Sequence, residues 1–276
     1  MNGTPHVVGF YDRHPISAAQ ILGKLRALRG HLDGLRPEEL FPHDQDHYGG
    51  LAANDALAVP AGIGRGTRVA DFCAGLAGPA RYFAHHFGAA VTGIELNPHR
   101  VRGAQELTLR VGLQNRVGMI RGNVAHAPLA NACVDVVVSQ EAFLHVPDKA
   151  AAIGEAFRIL VPGGRLAFSD WVAHHPLAAD QAATLWQGLA AQTLQSTEGY
   201  RGLLQQAGFQ VRSVEDLTEP WGAVLGERLA MYRKLRRETS SAGLPSGDAA
   251  FYRAYVQLVA LVRGRVLGGG RFIAEK

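Results

Sequence analysis

The chain has 276 residues, of which 47% are hydrophobic, and its formal net charge is only +4. This length and apolar content predict one large α/β domain with additions, or two small domains, and argue against a disordered chain. We expect neither a membrane partner nor a signal peptide, because no apolar run approaches the roughly twenty residues that span a bilayer and charged residues interrupt the N-terminus.

The first 60 residues precede the predicted sheet, and we expect them to form a helical lid. Apolar residues recur at helical spacing between residues 16 and 29, with Ser17 as the candidate cap. Residues 36–40 are typical of a second helix start. Residues 54–58 are predicted to form a short helix that leads into the first strand.

The stretch 41–50 is rich in polar side chains and too irregular for a helix. Its His and Asp residues suggest a metal site, but metal ligands need rigid elements, and His43 and His47 lie on a predicted loop, so we expect no metal. Binding residues concentrate on loops. We therefore predict that this stretch covers an active site, with Gln45, His47 and Tyr48 facing it.

The first predicted strand, 67–72, ends in a run of small residues. Asp71 stands near the end of the strand, and Pro79 suits the first position of a following helix. A strand, a tight turn and a helix start bring a backbone close to a bound cofactor. The small residues of the turn are Cys73, Ala74, Gly75, Ala77 and Gly78.

A second apolar strand, 90–95, ends in Glu95. In nucleoside-binding α/β sheets, an acid at the tip of the second strand accepts hydrogen bonds from ribose hydroxyls. An NAD(P)-binding Rossmann domain is the rival interpretation, but its G-x-G-x-x-G spacing is not met here. Asp71, the small-residue turn and Glu95 together resemble motifs I and II of the class I S-adenosylmethionine (SAM)-dependent methyltransferases. The sequence departs from that pattern at Cys73 and Ala77, where glycines are common.

The resemblance implies where the cofactor lies. The turn would lie under the amino-acid end of SAM, and Glu95 would hold the ribose. After the third predicted strand, 117–121, the family meets the adenine with an acid, and Asn123 offers an amide oxygen for the same bond. SAM is thus the expected cofactor and S-adenosylhomocysteine (SAH) its product. The expected cofactor-binding residues are Asp71, Cys73, Ala74, Gly75, Glu95, Leu96, Asn123, Val124 and Gln140.

Strands and helices alternate from residue 67 onward, which predicts a parallel sheet with helices on both faces. The resemblance implies a Rossmann-like, seven-stranded, mostly parallel sheet with an antiparallel last strand, and we expect residues 268–274 to form that strand after a flexible turn. The further predicted strands are 134–138, 164–169 and 209–214, and the predicted helices are 79–87, 98–112, 148–160, 178–195, 200–207, 222–238 and 248–263. We expect a lid over 1–60 and a methyltransferase domain over 61–276, with helical additions at 176–200 and 221–263.

The fourth predicted strand leads into the string Ser-Gln-Glu-Ala-Phe-Leu-His at 139–145, and a Pro-Gly-Gly turn precedes the fifth. This string is similar to that of the glycine-betaine-forming and phosphoethanolamine N-methyltransferases, which act on small molecules. Enzymes that methylate exocyclic base amines usually carry an Asn/Asp-Pro-Pro-aromatic string here. Because that string is absent, and because the basic cluster at 228–237 is typical of a solvated helix face, we expect no nucleic-acid partner.

The candidate chemistry is methyl transfer to a nucleophile. The sulfonium of SAM carries an electrophilic methyl group, so the protein has to align the acceptor and exclude water. An amine acceptor must arrive unprotonated or lose its proton to a base, for which Glu141 and His145 are candidates, with His47 reaching in from the lid. The expected acceptor contacts are Tyr11, Gln45 and Tyr48 in the lid, and Trp171 and His174 after the fifth strand.

We therefore predict a SAM-dependent methyltransferase that acts on a small polar molecule, with an amine nitrogen as the favoured acceptor. An O- or C-methyltransferase, or a cyclopropane-forming enzyme, acting on a natural product or lipid is the alternative, and a non-catalytic SAM- or nucleic-acid-binding module is a third. Two cysteines, Cys73 and Cys133, do not form a disulfide framework, which favours the cytoplasm. The sequence leaves the oligomeric state open, a homo-oligomer included.

Overall fold

The computed structural model describes residues 4–14, 16–239 and 246–276. A single mixed sheet lies at its centre. Its strands are β1 (Arg68–Phe72), β2 (Ala90–Glu95), β3 (Val117–Arg121), β4 (Val134–Gln140), β5 (Leu160–Ala173), β6 (Gln210–Asp216) and β7 (Leu267–Glu275). These seven strands lie in the order β3-β2-β1-β4-β5-β7-β6.

The strand directions agree with the sequence. β1 pairs in parallel with β2 and β4, and the parallel pairing continues to β3 on one side and to β5 on the other. β7 is antiparallel to both of its neighbours, β5 and β6. The prediction of a seven-stranded, mostly parallel sheet with an antiparallel last strand is confirmed. Strand order reverses between β1 and β4, and a crevice opens beyond the carboxyl ends of strands at such a point.

Helices cover both faces of the sheet and build the additions. They are α1 (Thr4–Asp12), α2 (Ala18–Arg29), α3 (Pro37–Asp44), α4 (Gly50–Ala61), α5 (Gly78–Tyr82), α6 (Pro98–Arg110), α7 (Lys149–Ile159), α8 (Ala179–Leu189), α9 (Thr197–Gln206), α10 (Thr218–Thr239) and α11 (Ser246–Arg263). A π-helical turn, Phe83–Phe87, continues α5. No helix in the described ranges combines the length and apolarity needed to cross a bilayer.

The core lies on both faces of the sheet, because alternate residues of a strand point to opposite sides. Phe72 and Ile94 belong to a cluster with Ile153 of α7. Val69 and Val91 belong to another cluster with Leu57 of α4. Burial on both faces explains why these strands read as nearly continuous apolar runs in the sequence.

The N-terminal segment is more helical than predicted. The predicted cap of α2 is confirmed, since the Ser17 side chain accepts from Gln20 N. The expectation of an irregular stretch from residue 41 is wrong in part, because α3 continues through Asp44. Leu40, Phe41 and Asp44 are buried, so tertiary packing holds a helix where the polar composition indicated a loop.

One other expectation is corrected by the local backbone. The helix predicted over 178–195 ends at Leu189, because Ala190 takes a left-handed conformation with φ of 52°.

The last strand contains Gly268–Gly270, as predicted. A Cβ atom on Gly269 would lie 2.3 Å from the Trp221 ring. Glycine is therefore needed here because α10 packs directly on the strand backbone.

A buried ion pair joins the N-terminal helices α1–α4, which form the predicted lid, to the helices that pack on the sheet. Arg81 Nη2 of α5 lies 2.9 Å from Asp44 Oδ2 of α3, and both side chains are fully buried. Arg81 also donates to Thr108 Oγ1 of α6 at 3.1 Å. A Cβ atom on Gly78 would lie 2.0 Å from Asp44 O, so the end of α3 packs against the turn that begins α5.

Candidate active site

A cavity of about 740 Å³ opens where β1, β2 and β4 end. Its wall combines strand ends with residues of the lid and of α10 and α11. Ligand pockets typically enclose roughly 300–1,000 Å³. The predicted site residues that line it are Tyr11, His47, Tyr48, Asp71, Cys73, Ala74, Gly75, Glu95, Leu96, Asn123, Val124, Gln140, Glu141, His145 and Trp171.

The turn after β1 brings its backbone to the cavity. Cys73, Gly75 and Ala77 have φ values of 60°, 56° and 59°, which are left-handed. This region is uncommon for residues with a Cβ atom and is often found at functional sites. Small side chains at Cys73 and Ala77 thus adopt the conformation that glycine would favour, so the departures from the family pattern keep its backbone path.

Glu95 is fixed at the end of β2 with acceptor capacity to spare. Its Oε1 accepts from Asn97 N at 2.8 Å, and its Oε2 accepts from Gly75 N at 2.9 Å. A carboxylate offers about four lone-pair positions. Two backbone donors therefore leave room for two more bonds, as a ribose diol would require.

Asp71 and Gln140 present buried acceptors that the protein leaves without partners. Asp71 and Gln140 line the cavity, and Asp71 Oδ2 and Gln140 Oε1 accept no hydrogen bond from any described residue. Burial, and after it the Glu95 carboxylate, raise the pKa of Asp71 to about 8. An unpaired buried polar group costs roughly 1–3 kcal/mol. The ammonium of the amino-acid end of SAM would satisfy such acceptors, so the residues present fit that cofactor.

Asn123 lies beside the cavity but already has a local partner. Its Oδ1 accepts from Ala125 N at 3.0 Å and caps the short 3₁₀ turn Val124–His126. An amide oxygen has two lone pairs. One lone pair therefore remains for an adenine amino group.

Tyr11 and His145 form a hydrogen-bonded pair in the wall of the cavity. His145 Nδ1 lies 2.8 Å from Ala190 O, so this nitrogen carries the proton. Nε2 is therefore an acceptor, and the Tyr11 hydroxyl lies 2.8 Å from it and donates. Burial lowers the pKa of His145 to about 4, which keeps the ring neutral. The Tyr11 oxygen retains a lone pair that can accept a hydrogen bond from a ligand.

Glu141 joins the lid to the end of β4. Tyr48 N lies 2.9 Å and 3.0 Å from its two carboxyl oxygens. Its φ of 52° is strained for a non-glycine residue. The side chain is only half-buried by surface area because it faces the cavity, yet the surrounding protein raises the pKa of Glu141 to about 8. The lid and the 141–145 segment thus meet at the cavity.

His47 and Gln45 belong to a buried polar network that supports the lid. His47 Nδ1 faces Tyr48 O at 3.2 Å and Nε2 faces Gln45 Oε1 at 3.0 Å. Both ring nitrogens therefore face carbonyl oxygens of the protein, and because burial lowers the pKa of His47, the neutral ring donates to only one of them. Asn54 connects the network to β4, since it donates to Gln45 Oε1 and accepts from Gln140 Nε2, both at 2.8 Å. Gln45 itself does not line the cavity.

Trp171 and His174 take different positions after β5. Trp171 is buried and lines the cavity. His174 Nε2 lies 3.0 Å from Thr218 Oγ1. A Cβ atom on Gly268 would lie 2.5 Å from the same His174 nitrogen. His174 therefore lies between β7 and α10, and it does not line the cavity.

The cavity also contains residues that sequence reasoning missed. Asp46 pairs with Arg100 at 2.9 Å and lies 3.7 Å from His14, and these partners hold the pKa of Asp46 below its usual value. Arg228 was counted in a solvated cluster, yet it is half-buried in the cavity wall while Arg233 is exposed. Residues of the cavity wall that were not predicted include Asp46, Arg100, Leu189, Arg228, Met231, Tyr232, Phe251 and Tyr255. A signal existed only for Asp46, which stands in the polar stretch 41–50.

Comparison with known proteins is consistent with this geometry. Residues 70–168 match the family model described as "Methyltransferase domain". This range includes Asp71, the turn, Glu95 and the 139–145 string. Residues 70–168 therefore carry a methyltransferase domain.

Curated relatives extend the match over more of the chain. A 24-methylenesterol C-methyltransferase 2 of Oryza sativa subsp. japonica is 31% identical over 174 residues, covering 61% of this chain and 48% of that protein. A glycine/sarcosine/dimethylglycine N-methyltransferase of Actinopolyspora halophila is 30% identical over 191 residues, covering 69% and 33%. The chain thus spans between a third and a half of the length of these relatives.

A solved structure supports the fold. The phosphoethanolamine N-methyltransferase 2 of Haemonchus contortus, in complex with phosphomonomethylethanolamine and SAH, has a TM-score of 0.76 at 19% identity. The similarity covers 97% of this chain and 59% of that one. It extends beyond the 70–168 core to the lid and the helical additions.

Proposed function

We propose that the protein is a SAM-dependent methyltransferase that methylates an amine nitrogen of a small polar molecule. The observation that carries the proposal is the polar wall of Tyr11, His145 and Glu141 in the cavity whose other end fits SAM. When bound, SAM would supply an electrophilic methyl group, so the protein needs to provide position and proton management. The cofactor end would be held by Asp71, Glu95 and the turn between them.

The protein's own groups suit an amine acceptor. Glu141, with a pKa of about 8, can take the proton of an entering ammonium near neutral pH, because a group with a pKa close to the working pH exchanges protons most efficiently. The Tyr11 oxygen can accept an N–H and orient the nitrogen lone pair. His145 holds Tyr11 in place through its Nε2 atom.

The names of the relatives favour more than one acceptor. The N-methyltransferase of Actinopolyspora halophila supports the amine, whereas the sterol C-methyltransferase of rice supports the alternative of carbon methylation. We favour the amine because the Tyr11 oxygen and the Glu141 carboxyl lie in the cavity wall and can each accept a further hydrogen bond, which an apolar acceptor would not donate. A cytoplasmic location remains part of the proposal, supported by two free cysteines.

The test is a panel of amines, phenols and olefins with SAM, with SAH release and product mass as readouts. We expect amines alone to be methylated. Tyr11→Phe should lower kcat for the amine roughly ten- to a hundredfold, the worth of a hydrogen bond to a charged group, and leave the SAM dissociation constant unchanged. Tyr252→Phe is the matched control, because Tyr252 lies outside the cavity wall. Methylation of olefins or phenols in place of amines would contradict the proposal.

A further inference from the structure

We propose that Arg228 and Tyr255 form a subsite for an oxyanion of the methyl acceptor, beside an apolar space for its body. The acceptor would then be an amine that also carries a carboxylate or a phosphate on an apolar frame. The amine part of this statement rests on the proposed function, whereas the anion part rests on the cavity alone.

Arg228 has donors that the protein does not use. Its Nη2 donates to His47 O at 3.2 Å, and its Cζ lies 5.0 Å from the centroid of the Tyr48 ring. Within the described chain it forms no ion pair with a carboxylate. A guanidinium has five N–H donors in a fork that matches carboxylate and phosphate. An unpaired guanidinium in a partly buried wall points to an anionic ligand.

Tyr255 supplies an independent observation on the neighbouring helix, α11. The residue is only 4% exposed, it lines the cavity, and its buried O–H group has no acceptor among the described residues. Burial raises the pKa of Tyr255, so the hydroxyl keeps its proton and is a donor, while the adjacent Arg228, through its charge and its hydrogen bond to the Tyr255 oxygen, opposes that rise. A buried donor without a partner is costly unless a ligand satisfies it. Two unused donors are thus close together in one wall.

The two ends of the cavity have complementary chemistry. Glu141 accepts from the Tyr48 backbone N–H, and Arg228 lies over the Tyr48 ring. Tyr48 therefore separates a carboxyl group from a guanidinium that are not ion-paired with each other. A ligand with a cationic or neutral amine at one end and an oxyanion at the other would match both. This orientation also directs the amine toward Tyr11 and His145.

The space around the anion subsite is apolar. The rings of Tyr232 and Phe251 contact the ring of Tyr255, and Leu189 of α8 and Met231 of α10 line the same cavity. Apolar area buried by a ligand contributes roughly 25 cal/mol per Å². A small acceptor without an apolar frame would leave these side chains without contact, so we assign a body of about the size of a phenyl or branched alkyl group.

The subsite can be tested apart from catalysis, by calorimetry on the SAH-loaded protein. The probes are 3-phenylpropionate and phenyl phosphate, which carry a ring and an oxyanion but no amine, and whose relative affinity separates carboxylate from phosphate. We expect Arg228→Gln to weaken binding of the preferred probe roughly ten- to a hundredfold and Tyr255→Phe to weaken it severalfold. SAH affinity should not change. Arg228→Lys, which keeps the charge, should restore part of the loss, and Arg233→Gln on the same helix should have no effect.

Methylation rates of two related amines distinguish the anion subsite from amine methylation itself. Phenylalanine and phenethylamine share a ring and an amine, and only the first has a carboxylate. We expect a higher kcat/KM for phenylalanine, and we expect Arg228→Gln to abolish the difference mainly through KM. Equal use of both amines by the wild type, or failure of both anion probes to bind, would overturn the subsite while amine methylation stands. Anion binding that depends on Arg228 without methylation of any amine would support the subsite and refute the proposed function.

Discussion

Glu141→Gln is the substitution that most sharply tests the electrostatics of the acceptor side. The structure raises the pKa of this carboxyl from 4.5 to about 8, mainly by burial. Between these values the folded protein keeps a proton that the unfolded chain loses. The stability contributed by the neutral form is therefore lost as pH rises through this window. One pKa unit corresponds to about 1.4 kcal/mol, so the penalty above pH 8 is at most about 5 kcal/mol, and solvent screening of this partly exposed side chain reduces it.

Glutamine keeps the shape and the acceptor for Tyr48 N and has no charge to bury. We expect the variant to match the wild type in urea unfolding near pH 5 and to be more stable by a few kcal/mol at pH 9. Glu219→Gln is the control, because that side chain is 86% exposed and should change neither value. Parallel pH profiles for the wild type and Glu141→Gln would refute a raised pKa at this position.

Three further substitutions test the lid and the cofactor end. Asp44→Asn leaves Arg81 buried without its counter-ion, and we expect a loss of about 3–5 kcal/mol in the free energy of unfolding, against less than ~0.5 for the exposed Glu106→Gln. Glu95→Ala should weaken SAM binding at least tenfold by calorimetry, because each hydrogen bond to a charged group contributes roughly 1.5–3 kcal/mol. Unchanged binding would mean that Glu95, at the end of β2, does not bind the ribose. Gly75→Val should abolish SAM binding while circular dichroism stays native. Gly75 has a left-handed φ of 56°, which valine rarely adopts. Normal SAM binding by this variant would mean that the cofactor does not contact the turn.

The polar residues at the strand ends were predictable because each one is marked by the sequence immediately around it. Asp71 and Glu95 each close an apolar run, and parallel strands bring such ends to one edge of the sheet. The same local logic identified Glu141 and His145, which follow β4. Adjacent strands in register then place these side chains around one cavity without further information.

The acceptor wall was not predictable, because it depends on contacts between distant segments. Tyr11 was singled out, but α1, which carries it, was not predicted, and its partner His145 is 134 positions away. Arg228 belongs to a cluster of basic residues in the sequence. It is half-buried while Arg233 is exposed, because α10 packs against the lid, where Arg228 donates to His47 O. His47 was predicted to be catalytic from its position in the polar stretch. Its two ring nitrogens instead face Tyr48 O and Gln45 Oε1.

The most direct measurement is the fate of a ¹³C-labelled methyl group of SAM in the presence of the wild-type protein and an amine that carries an oxyanion, such as phenylalanine. Carbon chemical shift distinguishes N-methyl from O-methyl and C-methyl products. We predict an N-methyl signal that grows in step with SAH. A methyl signal on oxygen or carbon, or SAM that binds the protein and stays intact with every amine offered, would contradict amine methylation in this cavity.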